Sequence, residues 1–374
     1  MSDDQFDAIV VGAGCAGAVA AYRLASAGRS VLVVERGNYA GAKNMTGGRI
    51  YTHALARVFP DFEGSAPLQR RITHEKISMA APDALFTMDF TADELRESGK
   101  DSYAVLRGPF DQWLAERAEE AGADFIYGIA VEDLIVRDGR VCGVVAGGDE
   151  VEARITVLAD GANSLLAQKA GLADDVPLPC QMAVGAKETI ALPPSVIEDR
   201  FLCAPGEGAA WMFAGDCTKG RVGGGFLYTN DDSISLGLVA TLSDLAAGDV
   251  PIYQMLEDFK QRADIAPLVK GGELVEYSGH LVPEGGLAMV PRLYGDGVLV
   301  CGDAAMLCMN LGYSVRGMDF AVSSGDLAAD AVMRALEADD VSARSWRLTS
   351  SCSTAATSCR TSSASAASRA IWKR

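Results

Sequence analysis

The opening of the chain sets short apolar segments against glycine breaks. Phe6 to Val11 and Val31 to Glu35 read as strands buried on both faces. Gly12 to Gly17 is a glycine turn, and Ala18 to Ala27 a helix of small residues. Together they predict one strand-turn-helix-strand unit of a parallel sheet. A helix is predicted from Phe110 to Ala121 after the Gly108-Pro109 break, with Asp124 to Tyr127 as a third strand of the same sheet. Val131 to Val136 and Val141 to Val145, joined at Asp138-Gly139, predict an antiparallel excursion. Ile155 to Ala159 returns to the first sheet and ends at Asp160-Gly161.

From about Pro177 to Gly286 the pattern changes to short alternating segments, among them Val222 to Thr229 and Ile234 to Thr241, with one helix from Ile252 to Ala263. Val298 to Cys301 is a last buried strand, followed by Gly302-Asp303 and a helix from Ser314 to Glu337. The expected architecture is α/β: a Rossmann-like nucleotide-binding domain in two parts, 1–176 and 287–341, with a sheet-rich α+β domain, 177–286, inserted. From Ser345 to Ala370 nearly every residue is Ser, Thr, Ala or Arg, without acidic residues or apolar period. Residues 342–374 are therefore expected to be an aberrant low-complexity tail, disordered or produced by a shift of reading frame.

The glycines of Gly12-Ala13-Gly14-Cys15-Ala16-Gly17 have separable tasks. The first permits the tight turn, the second lets backbone approach a pyrophosphate, and the third lets the helix pack closely on the sheet. The helix N-terminus then offers unpaired N–H groups and partial positive charge to phosphates. Glu35 ends the next strand 18 residues after Gly17, placed to accept hydrogen bonds from ribose hydroxyls. A carboxylate there suits a free ribose diol, so FAD or NAD fits better than NADP. Gly302-Asp303 separates those two, because a second carboxylate on the same sheet edge can hold a ribityl chain and a second helix N-terminus can face a flavin's pyrimidine edge. The competing reading makes Asp303 only a cap of the following helix.

Charge and composition narrow the classes. The formal charge of −17 repels nucleic acid and anionic lipid, so a membrane contact needs a local patch that the net charge conceals. Nine cysteines without a C-x-x-C pair argue against zinc, an iron–sulfur cluster or a redox disulfide in this chain, and fit reduced thiols. The run from Ala8 to Tyr22 is 15 residues long with three glycines and follows Asp3, Asp4 and Asp7, which fits neither a signal peptide nor a membrane span. A cytoplasmic protein is expected, with peripheral contact at the inner face of the cell membrane as a variant. His53, His74 and His280 lack metal-ligand spacing and are read as structural, with His53 a lesser candidate for proton transfer.

The fingerprint at 12–17, Asp160-Gly161 and Gly302-Asp303 together resemble the single-FAD-domain, glutathione-reductase-type superfamily. The segments Ala42-Lys43-Asn44-Met45-Thr46-Gly47-Gly48-Arg49-Ile50-Tyr51 and Asn310-Leu311-Gly312-Tyr313-Ser314-Val315-Arg316-Gly317-Met318-Asp319 are more specific. They resemble FixC-type relatives of electron-transfer flavoprotein:quinone oxidoreductase over residues 5 to 341. The resemblance implies FAD, electron-transfer flavoprotein subunits as donor, a quinone as acceptor and a small ferredoxin-like subunit. It implies that Gly12, Gly14 and Gly17, with Cys15 and Ala16 in the turn, hold the pyrophosphate. It places Glu35 and Arg36 at the adenosine end, Val131 at the adenine, Asp303 at the ribityl chain and Arg107 at the phosphates or ribityl, and counts Asp160 and Gly302 among the cofactor-binding residues. Lys43, Asn44, Gly47, Gly48 and Arg49, with Gly312, Tyr313 and Val315, are implied along the isoalloxazine. For Arg107 a merely solvated charge is the competing reading. An isoprenoid-chain reductase or aromatic hydroxylase of the same fold, and an inactive truncated subunit, remain as alternatives.

Overall fold

The computed structural model describes residues 5–44, 48–173, 176–310 and 315–350, without the side chains of 347–350. In chain order the strands of the first half are β1 (Phe6–Val11), β2 (Val31–Glu35), β3 (Gly48–Tyr51), β4 (Leu68–Ala80), β5 (Leu85–Phe90), β6 (Ser102–Val105), β7 (Asp124–Tyr127), β8 (Val131–Arg137), β9 (Arg140–Ala146) and β10 (Asp149–Leu158). The second half adds β11 (Met182–Ala191), β12 (Glu207–Gly215), β13 (Gly223–Thr229), β14 (Ser233–Thr241), β15 (Glu273–Pro283), β16 (Tyr294–Gly295), β17 (Val298–Val300), β18 (Met309–Asn310) and β19 (Val315–Arg316). The helices that shape the core and the site are α1 (Cys15–Ser26), α2 (Arg107–Glu120), α3 (Ile252–Lys260), α4 (Met318–Glu337) and α5 (Ala343–Ser350).

The first sheet runs β16-β17-β10-β1-β2-β7. Its strands β17, β10, β1, β2 and β7 are parallel. Ala8 and Val10 of β1 enter one buried cluster with α1, α2 and α4, while Ile9 and Val11 enter another on the opposite face. Burial on both faces explains the unbroken apolar character of these strands. The chain leaves β1 toward β2 and β7 on one side and returns through β10 and β17 on the other. That reversal opens a crevice at the carboxyl ends of the strands beside β1, where open α/β sheets bind ligands.

The second sheet runs β15-β11-β14-β13-β12-β4-β6-β3, with β5 on the outer side of β4. It is mixed, since β4 and β12 are parallel whereas the hairpin partners are antiparallel. Ile234, Leu236 and Leu238 of β14 pack with Met255, Leu256 and Phe259 of α3. The alternate face turns toward the crevice of the first sheet. This sheet is not confined to 177–286, because β3, β4, β5 and β6 supply it from residues 48–105. Its β4 hides from a hydrophobic reading because Arg70 is only 2% exposed yet fully engaged. Its guanidinium donates to the carbonyls of Asn230, Glu207, Pro194 and Asp231 and to Glu198. A charge so bonded is tolerated inside.

Several boundaries also shift. Helix α1 begins at Cys15, not Ala18, with Gly14 as its N-cap. Helix α2 begins at Arg107, not Phe110, and takes Pro109 into its first turn, where a missing N–H costs nothing. Helix α4 begins at Met318, not Ser314, with Gly317 as N-cap. The helix expected to reach Ala263 ends at Lys260, and β10 begins at Asp149, where its first residues pair with β9. The tail expected from 342 is helical over Ala343–Ser350, and its Trp346 is buried in the main core. Residues 351–374 lie outside the described residues.

Gly17 and Gly64 separate packing glycines from incidental ones. A Cβ on Gly17 would stand 1.9 Å from the carbonyl oxygen of Gly12, whereas one on Gly64 meets nothing within 4 Å among the described residues. Gly17→Ala should cost about 2–3 kcal/mol through overpacking. Gly64→Ala should be neutral or slightly stabilising. Denaturant midpoints that fall equally for both variants would contradict this packing.

Candidate cofactor site

One crevice of about 1310 Å³ runs along the carboxyl edge of the first sheet and under the second. Gly12, with φ +99°, makes the turn out of β1, and a Cβ there would lie 2.5 Å from the Ala159 carbonyl oxygen. Gly14 faces the crevice. Its nearest neighbours to an added Cβ are Arg107 Nη2 at 3.9 Å and Asn44 Nδ2 at 4.0 Å, so the backbone is open to an approaching group. No side chain among the described residues caps α1, which leaves the N–H groups of its first turn to a ligand. An open backbone, a helix N-terminus and an arginine side by side fit a diphosphate.

Glu35 is nearly fully buried and is already engaged. The Ala13 N–H donates to its Oε2 at 2.8 Å and the Gly37 N–H to its Oε1 at 2.6 Å. The carboxylate thus clamps the glycine turn to the end of β2. Each oxygen keeps a further lone pair for a diol. Arg36 beside it is exposed and lines the crevice with Val131 of β8.

Arg107 is not a solvated charge. Its guanidinium donates to both oxygens of Asp111, from Nε and Nη2, at 2.8 Å each. Burial works against its charge, but Asp111, with Cys15 and Asp303 nearby, outweighs that and raises its pKa. Asp111 is fully buried and also accepts from Asn44 Nδ2 and from Cys15 Sγ. One carboxylate thereby ties the glycine turn, the loop after β2 and the start of α2. Burial pushes the Cys15 thiol far above its usual range, so it is a packed thiol and not a nucleophile.

Two further carboxylates stand on the same edge. Asp160 follows β10, accepts from Ser164 Oγ at 2.7 Å, and is pushed up by burial. Asp303 follows β17 and is also pushed up by burial, with Arg107 opposing. Asp303 does not cap α4, whose N-cap is Gly317, and among the described residues burial and the charge of Arg107, not a hydrogen bond, act on its carboxylate. Gly302, with φ +64°, lets this turn sit against α1, since a Cβ would lie 2.8 Å from that of Ala16.

Of the residues singled out in the sequence, Gly12, Gly14, Cys15, Ala16, Glu35, Arg36, Lys43, Asn44, Gly48, Arg49, Arg107, Val131, Asp160, Gly302, Asp303 and Val315 all line this crevice. Gly17 packs behind the turn. Gly47, Gly312 and Tyr313 lie outside the described residues. Arg49 donates to Ser102 Oγ at 2.8 Å and to Glu75, and lies 4.4 Å over the Tyr51 ring. His53 is not in the lining. It is half exposed, 3.7 Å from Asp319.

Sequence reading missed Asp111 and the aromatic wall formed by Phe226 and Tyr228, and took His280, which lines the crevice, for a structural residue. The i, i+4 spacing of Arg107 and Asp111 was the available signal for the first. His280 lines the crevice from β15, and burial together with Arg107 and Arg36 lowers its pKa. Among the described residues no three or more His, Cys, Asp or Glu side chains gather as a metal site. No helix among them is long and apolar enough to cross a membrane.

Comparison with known proteins agrees with this geometry. A family model described as FAD dependent oxidoreductase matches residues 7–98. The chain is 55% identical over 342 residues to Protein FixC of Escherichia coli (strain K12), covering 91% of this chain and 80% of that protein. It is 54% identical over 347 residues to the probable electron transfer flavoprotein-quinone oxidoreductase YdiS of the same strain, covering 92% and 80%. A geranylgeranyl bacteriochlorophyll reductase-like protein from Thermoplasma acidophilum shares the fold, with TM-score 0.77 and 20% identity over 93% of this chain and 83% of that one. The chain is an FAD-dependent oxidoreductase, and FAD is its cofactor.

Asp111→Asn should weaken FAD retention about 10- to 100-fold, the worth of a hydrogen bond to a charged group. Asp303→Ala should weaken it in the same direction. Titration of apoprotein with FAD, followed by flavin fluorescence, checks both, and parental affinity in both variants would contradict these roles.

Proposed function

This chain belongs to the FixC family of flavoproteins, and on that footing we propose that it takes electrons from an electron-transfer flavoprotein and delivers them to a quinone. One observation carries the reading: the glycine turn after β1 and the Gly302-Asp303 turn after β17 open into one crevice whose far wall is the second sheet. Bound FAD accepts an electron pair and releases electrons singly, so it can join two-electron and one-electron partners.

The chain's residues divide the binding. The first turn of α1, opened by Gly12 and Gly14 and packed by Gly17, would take the pyrophosphate, with Arg107 beside it. Glu35 and Arg36 would take the adenosine ribose, and the Val131 backbone the adenine. Asp303, with Asp160 on the same edge, would take the ribityl hydroxyls. Lys43, Asn44, Gly48, Arg49 and Val315 would flank the isoalloxazine. The same reading places the chain in the glutathione-reductase-type superfamily. It assigns the iron–sulfur centre to a small ferredoxin-like subunit, because no C-x-x-C pair occurs in the sequence.

An exposed apolar strip supports access of a lipid-borne quinone. On edge strand β5, Phe86, Met88 and Phe90 are more than half exposed, and Met79 of β4 pairs with Phe86. Ala80 and Pro82 beside them line the crevice, so the strip borders one of its ends. Such a patch suits peripheral contact with a membrane. A second reading, reduction of an isoprenoid chain, is favoured by the apolar stretch of crevice wall at Met212, Phe226, Val239 and Val282.

Stopped-flow mixing of the FAD-loaded protein with reduced electron-transfer flavoproteins should bleach the flavin, and a soluble quinone analogue should restore its colour. Reoxidation by a polyprenyl alkene but not by quinone would favour the second reading, and protein that retains no FAD would overturn both. Phe86→Asp with Met88→Asp should abolish flotation with lipid vesicles while leaving FAD content unchanged; parental flotation would remove the membrane contact.

A further inference from the structure

The crevice-facing side of the second sheet carries a file of polar residues along β11 and β15. Cross-strand register pairs Thr189 with Glu276, Lys187 with Ser278, and Gly185 with His280. Residues two apart on a strand share a face and lie about 7 Å apart. Glu276, Ser278, Lys187 and His280 therefore form one column, from the middle of edge strand β15 to the crevice that His280 lines.

This column is unusual in its bonding. Lys187 is completely buried, and its Nζ has no hydrogen-bond partner among the described residues. The Oγ1 of Thr189 and the Oγ of Ser278 beside it are also buried and without a hydrogen-bond partner among the described residues. A buried amine left without a partner is costly, and three such groups in adjacent positions are the kind of site that bridging water fills or function retains. Gly237, the β14 partner of Lys187, has no side chain, and the Phe226 ring folds over it, with Cζ 2.3 Å from where a Cβ would be. The ring that lines the crevice thus covers the position next to the amine.

We propose that Glu276, Ser278, Lys187 and His280 form a proton path into the crevice, with Lys187 as the store and His280 as the terminal donor to the acceptor reduced there. The proposal rests on the reading that this acceptor is a quinone. Reduction of a quinone to its quinol takes two electrons and two protons, of which bound FAD would supply both electrons and one proton. One further proton is needed to complete the quinol, and it comes from the path; solvent at the sheet edge then replaces it through Glu276. The charged group that reaches Lys187 is Glu276 on β15, while β14 turns Ser235, Gly237, Val239 and Thr241, and β13 Gly224, Phe226 and Tyr228, to that face, none of them an acid or a base but the Tyr228 phenol. Burial lowers the Lys187 pKa to about 8, with Glu276 opposing, so the amine can exchange its proton near neutral pH. Burial lowers the His280 pKa, and the positive charges of Arg107 and Arg36 act in the same direction.

The test uses FAD-loaded parent, Lys187→Met and His280→Gln, reduced anaerobically and mixed with a soluble benzoquinone across pH 6–10. Only protonated Lys187 can pass a proton on to His280, so the parental reoxidation rate should be high below pH 8 and fall as pH rises through it. Each variant should slow reoxidation at pH 7 by about 100-fold, the lower end of what a positioned proton donor contributes. Lys187→Met should also lose the break near pH 8, with FAD content unchanged in both variants. A parental pH profile in Lys187→Met overturns the path. Should the parent itself fail to react with any quinone, the functional reading falls, and the path is judged on the flavin midpoint potential alone. Its pH slope should then change near pH 8 in the parent and not in Lys187→Met; equal slopes overturn it.

Discussion

The structure depends on how closely the backbone of α1 can approach its neighbours. On one side Gly17 rests against the Gly12 carbonyl, and on the other Gly325 of α4 would place a Cβ 2.2 Å from the Ala16 carbonyl oxygen. Gly302 fits against Ala16 in the same region. Glycine at these points lets a helix N-terminus from the start of the chain and a carboxylate turn from residue 303 meet within one crevice. Side chains there would force the layers apart, because close-packed interiors accommodate an added methyl only by strain.

Charge within the crevice follows a different logic from charge on the whole chain. A net −17 is no guide to a site where Arg36, Lys43 and Arg107 surround the glycine turn. Asp111 secures Arg107, and Glu35 ties down the Ala13 and Gly37 amides. Most of the carboxylates that matter are therefore already engaged by the protein. Asp303 is the exception, held by no protein hydrogen bond among the described residues, which leaves it for a ligand's hydroxyls.

The first sheet was legible because its central strands are buried on both faces and its turns carry glycine. The second sheet was legible only in part. Its segment 48–105 escaped because Arg70 and Lys76 of β4 are buried polar residues, so strand alternation breaks down where long-range hydrogen bonds replace apolar contacts. Helix starts were misplaced wherever Gly or Pro lies inside the first turn, as at Gly17 and Pro109. The site residues that motifs mark were legible; Asp111 and His280 were not, since their roles arise from neighbours distant in sequence.

The central claim is that the two junctions, near residues 12–17 and 302–305, contact one FAD. Amide hydrogen exchange of the protein with and without FAD tests it most directly. Protection should rise in both segments together, with one FAD bound per chain. Protection confined to one segment, with the other exchanging as in the apoprotein, would contradict it.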